Sequence, residues 1–279
     1  MNRITLLSSL VSFLIAFFIS YNLNAASGAP CGHYLSEGGL TEGQCDSAEV
    51  DPTDIDSLQR GAQIYMNYCL GFHSLKFARY KRVSEDLEIP LDMFQENLIF
   101  GDQKLGDLIS IGMDSKESKV WFGNKPPDLT LEAGLRGPDW IYTYLKSFYI
   151  DDSRPLGVNN KVYENVGMPN VLNKMQGEQF SICKQIPKIA SNGGVQQDPL
   201  TGKQLTIEKC GFLEVKVGTG TQTIEEFDQS MKDLTNFLAY MTDPMKKERE
   251  NLGVYVLLYL FIFTILSYLL YIEFKKDLH

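Results

Sequence analysis

Tyr68-Cys69-Leu70-Gly71-Phe72-His73 is the stretch on which the reading of this chain turns. A Cys four positions before a His is the skeleton of C-x-x-C-H, the site that attaches c-type haem. There two thiols add across the haem vinyls and the adjacent imidazole ligates the iron. Here Phe72 stands where the second thiol belongs. Two readings are open at this point: a haem site with a single covalent tether, or a Cys and a His adjacent by chance.

Working outward, Thr53-Asp54-Ile55-Asp56 has the form of a capping box, and Leu58, Ala62, Tyr65 and Cys69 follow at helical spacing. This predicts a helix ending at Cys69 with Gly71 and His73 in the turn beyond, so that thiol and imidazole reach one side of a planar ligand. Residues 91–100 and 104–113 read as short helices broken by Gly101 and Gly112. Residues 121–129 contain Pro126-Pro127 and read as loop, since two prolines cannot continue a helix. Pro138 opens a helix at its favoured first-turn position, with Ile141, Tyr144, Leu145 and Phe148 on one face. Residues 151–168 are turn-rich and lead into Gly167-Met168-Pro169. Thr223-Ile224-Glu225-Glu226 is a second capping box, followed by Phe227, Met231, Leu234, Leu238 and Met241 at helical spacing until Asp243-Pro244. This last helix is expected to pack on the first. The pattern is mainly α, without an internal repeat.

With 279 residues the chain can bury a core as one large domain or two small ones. A net charge of −9 disfavours nucleic acid and suits a basic protein partner. No Lys or Arg lies between Arg3 and Arg60, whereas Glu37, Glu42, Asp46, Glu49, Asp51, Asp54 and Asp56 do. Residues 26–52 therefore read as an acidic arm, either simply solvated or a docking surface.

Both ends carry apolar runs. Met1-Asn2-Arg3, an uncharged stretch over 4–20 and Leu23-Asn24-Ala25-Ala26 describe a secretory signal peptide over 1–25, with an uncleaved anchor as the alternative. Residues 252–272 hold no charge and, at ~1.5 Å per residue, would span the ~30 Å hydrocarbon layer as one helix. Tyr255, Tyr259, Tyr268 and Tyr271 suit its interfaces. Export of the preceding chain makes 251–273 a stop-transfer anchor, with residues 274–279 as a cytoplasmic tail. In an oxidising compartment thiols pair, so Cys31 with Cys45 and Cys183 with Cys210 are expected in sequence order, although four cysteines allow three connectivities. Cys69 is left over. Of three histidines, His33 lies in the arm and His279 is the last residue, which leaves His73 as the ligand candidate.

Beyond the haem stretch, the chain resembles the cytochrome c1 family in its proteobacterial form. The residues that carry the resemblance are Arg60-Gly61-Ala62-Gln63 through His73-Ser74-Leu75-Lys76-Phe77-Ala78-Arg79-Tyr80, then Pro126-Pro127-Asp128-Leu129. Arg136-Gly137-Pro138-Asp139-Trp140 and Val158-Asn159-Asn160 through Val166-Gly167-Met168-Pro169 follow in the same order. The resemblance implies a class I cytochrome c-like haem domain with long loop insertions over 53–245, plus one C-terminal transmembrane helix. It implies a monohaem electron carrier of the quinol–cytochrome c oxidoreductase (bc1) complex in a bacterial inner membrane, with the haem domain on the periplasmic side. Electrons would come from a Rieske iron–sulfur protein and pass to a soluble or membrane-tethered c-type cytochrome, beside cytochrome b in a dimeric complex.

Carried over by residue, His73 would be the proximal iron ligand, Met168 the second axial ligand and Cys69 the thioether to haem c. Arg136 would pair with a haem propionate, and Pro126 and Pro127 would line the haem edge. Phe72 would pack over an unreacted vinyl. Single-thioether members of this family usually lose the first Cys and keep the second; here the reverse holds. Two other readings stand beside this one: a haem-free scaffold subunit of the same complex, and a thiol enzyme with Cys69 activated by His73.

Overall fold

The structure is a computed structural model that describes residues 29–35, 42–189 and 194–277. The expected signal peptide, part of the acidic arm and the last two residues lie outside the described residues. In chain order the helices are α1 (Ile55–Ile64), continued by a π-helical turn (Tyr65–Cys69), α2 (Tyr80–Asp86), α3 (Leu91–Leu98) and α4 (Ser115–Phe122). After them come α5 (Glu132–Arg136), α6 (Pro138–Lys146), α7 (Asn173–Gln176), α8 (Ile224–Thr242) and α9 (Lys246–Asp277). Strands β1 (Leu75–Arg79) and β2 (Leu108–Ile109), β3 (Phe148–Ile150) and β4 (Val158–Asn160), and β5 (Gln179–Pro187) and β6 (Thr206–Val215) form three antiparallel pairs.

As expected, α1 packs on α8. The contact is close because residue 61 is Gly: a Cβ there would lie 2.1 Å from the Asp233 carbonyl oxygen and 2.7 Å from the Phe237 Cβ. The buried face of α1 is Leu58, Ala62 and, in the π turn, Tyr65 and Cys69; that of α8 is Phe227, Met231, Leu234, Leu238 and Met241. Each large side chain buried in this way contributes ~1.5–3 kcal/mol. A polar knot fixes the register: Asp233 accepts from Ser57 Oγ (2.8 Å), Arg60 Nε (2.6 Å) and Gln229 Nε2 (3.0 Å). Burying that carboxylate costs little because every neighbour is a donor.

Several local expectations change. At α1 the cap is Asp54, which accepts from the Ser57 N–H, while Thr53 donates to Asp51 instead of closing a capping box. At α8 the box does form, with Thr223 Oγ accepting from Glu226 N–H and Glu226 Oε2 from Thr223 N–H. Residues 104–113 are not a helix. Asp107 turns the chain by accepting from Lys104 N–H, and Leu108–Ile109 then pairs with β1. Trp121 and Phe122 are helical, because α4 stops only at Gly123, whose φ of 75° suits the left-handed cap. Pro138 sits at the start of α6 as expected, but Phe148 falls in β3 beyond the helix end.

The long β5–β6 hairpin was not legible as strand, and its disulfide Cys183–Cys210 bridges the two strands. The pairing Cys31–Cys45 also forms. The described part of the arm is not simply solvated: Cys31, Tyr34 and Ala48 are buried. Ala48 N–H donates to Asp139 (2.8 Å) and Asp46 N–H to Thr143 Oγ1 (2.9 Å), which ties the arm to α6. Helix α9 starts at Lys246, after a turn at Pro244 and Met245, and is the one described helix long and apolar enough to cross a membrane. Its apolar side chains are exposed on all sides, for example Leu258, Phe261 and Leu269, as lipid contact requires.

Candidate haem site

The π turn ends the first helix in an unusual way that serves the site. Leu70 N–H reaches back five residues to Tyr65 C=O (3.0 Å), and His73 N–H then closes on Cys69 C=O (2.9 Å). Such π turns are common at functional positions because they re-aim side chains at the end of a helix. Tyr65, fully buried, donates its hydroxyl to His73 C=O (2.5 Å), so the turn is locked back onto its own helix. The exposed Gly71 fits this tight turn.

Opposite this turn runs the Pro126–Pro127 loop. Leu129 N–H donates to Ser74 C=O (2.9 Å), and Asp128 accepts from Lys76 N–H (2.9 Å) and from Thr130 through both N–H and Oγ1. The loop is thereby registered against the residues just after His73. As a result Pro127 C=O lies 2.8 Å from His73 Nδ1 and accepts the hydrogen bond its N–H donates. The remaining nitrogen, Nε2, carries the lone pair and makes no hydrogen bond among the described residues. Burial lowers the pKa of His73, with the Pro127 bond opposing that in part, so the ring is neutral. A neutral imidazole with a fixed tautomer is the form that ligates a metal.

All seven residues singled out from the sequence line one cavity of about 290 Å³: Cys69, Phe72, His73, Pro126, Pro127, Arg136 and Met168. They come from four segments of the chain, spread from Cys69 to Met168. The other walls are mostly apolar, among them Leu129, Ile141 and Leu145, with Leu234 and Leu238 supplied by α8. Phe72 meets Phe122 edge to face, with centroids 5.9 Å apart. Gly167 lets the Met168 loop cross over the end of α4, since a Cβ there would lie 2.5 Å from Phe122 C=O.

Arg136 gives its Nε to Glu132 (2.8 Å) and lays its guanidinium over Trp140, 4.5 Å from the ring centre. Its terminal nitrogens have no hydrogen-bond partner among the described residues. Cys69 is unpaired and buried, and burial pushes its thiol pKa up to about 12. A thiol raised in this way is a poor nucleophile at neutral pH, which disfavours the thiol-enzyme reading.

Comparison with known proteins adds one decisive match: the sequence model of the Cytochrome C1 family fits residues 47–278. The chain belongs to the cytochrome c1 family. The cytochrome c1 of Allochromatium vinosum is 44% identical over 251 residues, 90% of this chain and 95% of that protein. The ammonia monooxygenase gamma subunit of Nitrosomonas europaea is 38% identical over 85% of this chain and 90% of its own length. The cytochrome c1 of Rhodobacter capsulatus is 23% identical over 77% of this chain and 81% of that protein.

Membership of the cytochrome c1 family implies haem c, and the cavity fits that group on its own terms. It has apolar walls, a neutral His with one nitrogen uncommitted, a second soft donor in Met168, and an arginine with terminal N–H groups to spare. Sequence reasoning missed one role and two residues. Pro127, expected only to line the haem edge, also acts through its carbonyl, a group no residue type announces. Asp128 holds that carbonyl in place. Tyr144, read only as a residue on the packed face of α6, donates its hydroxyl to Met168 Sδ (3.4 Å).

Proposed function

We propose that this chain is the haem-bearing electron carrier of a quinol–cytochrome c oxidoreductase, with His73 and Met168 as the axial ligands of one haem c. The observation that carries the proposal is the convergence of Cys69, His73, Arg136 and Met168 on a single apolar cavity. Haem held there supplies reversible one-electron exchange between ferrous and ferric iron, at a potential raised by His/Met ligation. Everything else is the work of this chain. Pro127 C=O orients the imidazole, and Arg136 offers its terminal N–H groups to a propionate, a pairing to which a planar fork of donors is suited. The apolar walls exclude water.

Cys69 would supply the one thioether to haem c, its S–H adding across a vinyl with the hydrogen passing to the other vinyl carbon, so that no oxidant would be needed. Phe72, packed edge-on against Phe122, would cover the second vinyl. The 53–245 region is read as a class I cytochrome c-like domain, in which α1 crossing α8 is the frame. Segment 1–25 is read as a signal peptide, 26–52 as the arm and 251–273 as the anchor, with the haem domain periplasmic and 274–279 cytoplasmic. The partners are cytochrome b, a Rieske iron–sulfur protein as donor and a soluble or tethered c-type cytochrome as acceptor, in a dimeric complex. The acidic surface would favour encounter with a basic acceptor.

Replacing His73 by Ala tests the assignment. The Soret band is expected to collapse in His73→Ala purified from a host that matures c-type cytochromes. A spectrum identical to wild type would exclude His73 as the ligand.

A further inference from the structure

We infer that Tyr144 is a positioning residue for the haem iron: its hydroxyl, held by a column of stacked side chains, hydrogen-bonds the Met168 sulfur and so keeps that sulfur aimed at the metal and sets how strongly it donates. This inference rests on the ligand assignment above and adds a residue to it. The O–S separation is 3.4 Å, and the sulfur is the hydroxyl's one hydrogen-bond partner among the described residues. The hydroxyl is partly buried on the cavity wall, so the bond gives it a protein partner there and fixes where it points.

The ring cannot swing away. Trp140 stacks on Tyr144 with centroids 5.0 Å apart and planes 8° from parallel. Phe148 meets the same ring edge to face at 5.1 Å. On the far side of Trp140 lies the guanidinium of Arg136. The backbone is held too, with Asn160 Nδ2 donating to Tyr144 C=O (2.8 Å). Residues 136, 140, 144 and 148 thus form a column at four-residue spacing, running from the arginine that would meet a propionate to the hydroxyl on the sulfur.

A thioether sulfur has two lone pairs, and ligation uses one. A hydrogen bond to the other withdraws electron density from the sulfur. Ferric iron depends on that donation more than ferrous iron does, so the bond favours the reduced state and raises the potential.

The test uses the full-length protein in detergent. Wild type is first examined for the near-infrared sulfur-to-ferric-iron charge-transfer band, then titrated for its potential and mixed with carbon monoxide in the ferrous state. Tyr144→Phe keeps the ring and the stack and removes only the hydroxyl. It is expected to shift the one-electron equilibrium toward ferric by threefold to tenfold, a fall of up to 59 mV, and to bind carbon monoxide faster as Met168 is displaced more readily. Trp140→Leu keeps the hydroxyl and breaks the column; it should speed carbon monoxide binding with a smaller fall in potential. A wild-type charge-transfer band together with an unchanged potential and carbon monoxide rate in Tyr144→Phe would overturn the role of Tyr144 alone. Absence of that band in wild type would overturn the assignment of Met168 and this inference with it.

Discussion

Gly61→Ala tests the frame on which the haem site is built. In an ordinary exposed helix this change is stabilising by ~1 kcal/mol, because Ala is the better helix former. Here the new methyl would lie 2.1 Å from Asp233 C=O, 2.7 Å from the Asp233 carbonyl carbon and 2.7 Å from Phe237 Cβ. None of these atoms is the flexible end of a side chain. Reaching an ordinary contact of about 3.4 Å requires α1 and α8 to part by about 1.3 Å. Overpacking of this kind costs ~1–3 kcal/mol. Parting the helices also stretches the bonds from Ser57 and Arg60 to Asp233, worth ~1 kcal/mol each, with the Arg60 share reduced because that side chain is half exposed.

After the propensity gain is subtracted, a net loss of about 3 kcal/mol remains, or roughly 6–12 °C in Tm for a domain of this size. The assay is thermal unfolding of the detergent-solubilised protein, followed by far-ultraviolet circular dichroism. Because α1 leads into Cys69 and His73 while α8 supplies Leu234 and Leu238, the haem bands should shift as well. A Tm equal to or above wild type would refute the close-crossing argument.

Two further outcomes follow from the site and its surroundings. Asp128→Ala removes the acceptor for Lys76 and Thr130 that holds the Pro127 carbonyl on His73. It should cost about 2 kcal/mol and raise the reduction potential, since an imidazole that loses its Nδ1–H partner is a weaker donor; a lower Tm with an unmoved potential would show that the carbonyl stays in place without Asp128. Replacing both Cys183 and Cys210 by Ser should leave the haem spectrum unchanged, because neither β5 nor β6 contributes a residue to the cavity wall. The hairpin should be cleaved faster by protease, and an altered Soret band in that variant would show a coupling between hairpin and site that the structure does not contain.

The helical frame was legible because its signals are periodic. Leu58, Ala62, Tyr65 and Cys69 on one side and Phe227, Met231, Leu234, Leu238 and Met241 on the other each describe one buried stripe, and both stripes are buried in the structure. The candidate site residues could be singled out because few residue types ligate iron and the chain has few His and Cys to choose from, and the structure brings them to one cavity. The β5–β6 hairpin was not: Phe180, Ile182 and Ile186 fall at strand spacing, but Lys184 interrupts them and most of Gln179–Pro187 is exposed, so the pattern is weak. Residues 104–113 misled because the apolar run around Leu108 and Ile109 is too short to separate helix from strand by period; pairing with β1, a long-range fact, decides it. The cap at Asp54 was misplaced by one residue because Thr53 and Asp54 are both good caps, and Asp51 engages the Thr. Pro127 and Tyr144 meet His73 and Met168 through atoms whose aim depends on tertiary packing, which no local pattern records.

The electron-carrier reading requires haem tethered by Cys69 and ligated by His73. The most direct measurement is a pyridine haemochrome spectrum of the purified protein before and after acid-acetone extraction. One haem per chain that resists extraction, with an α-band between those of b-type and c-type standards, is the expected result. Absence of haem, in a host that matures c-type cytochromes, would contradict the account.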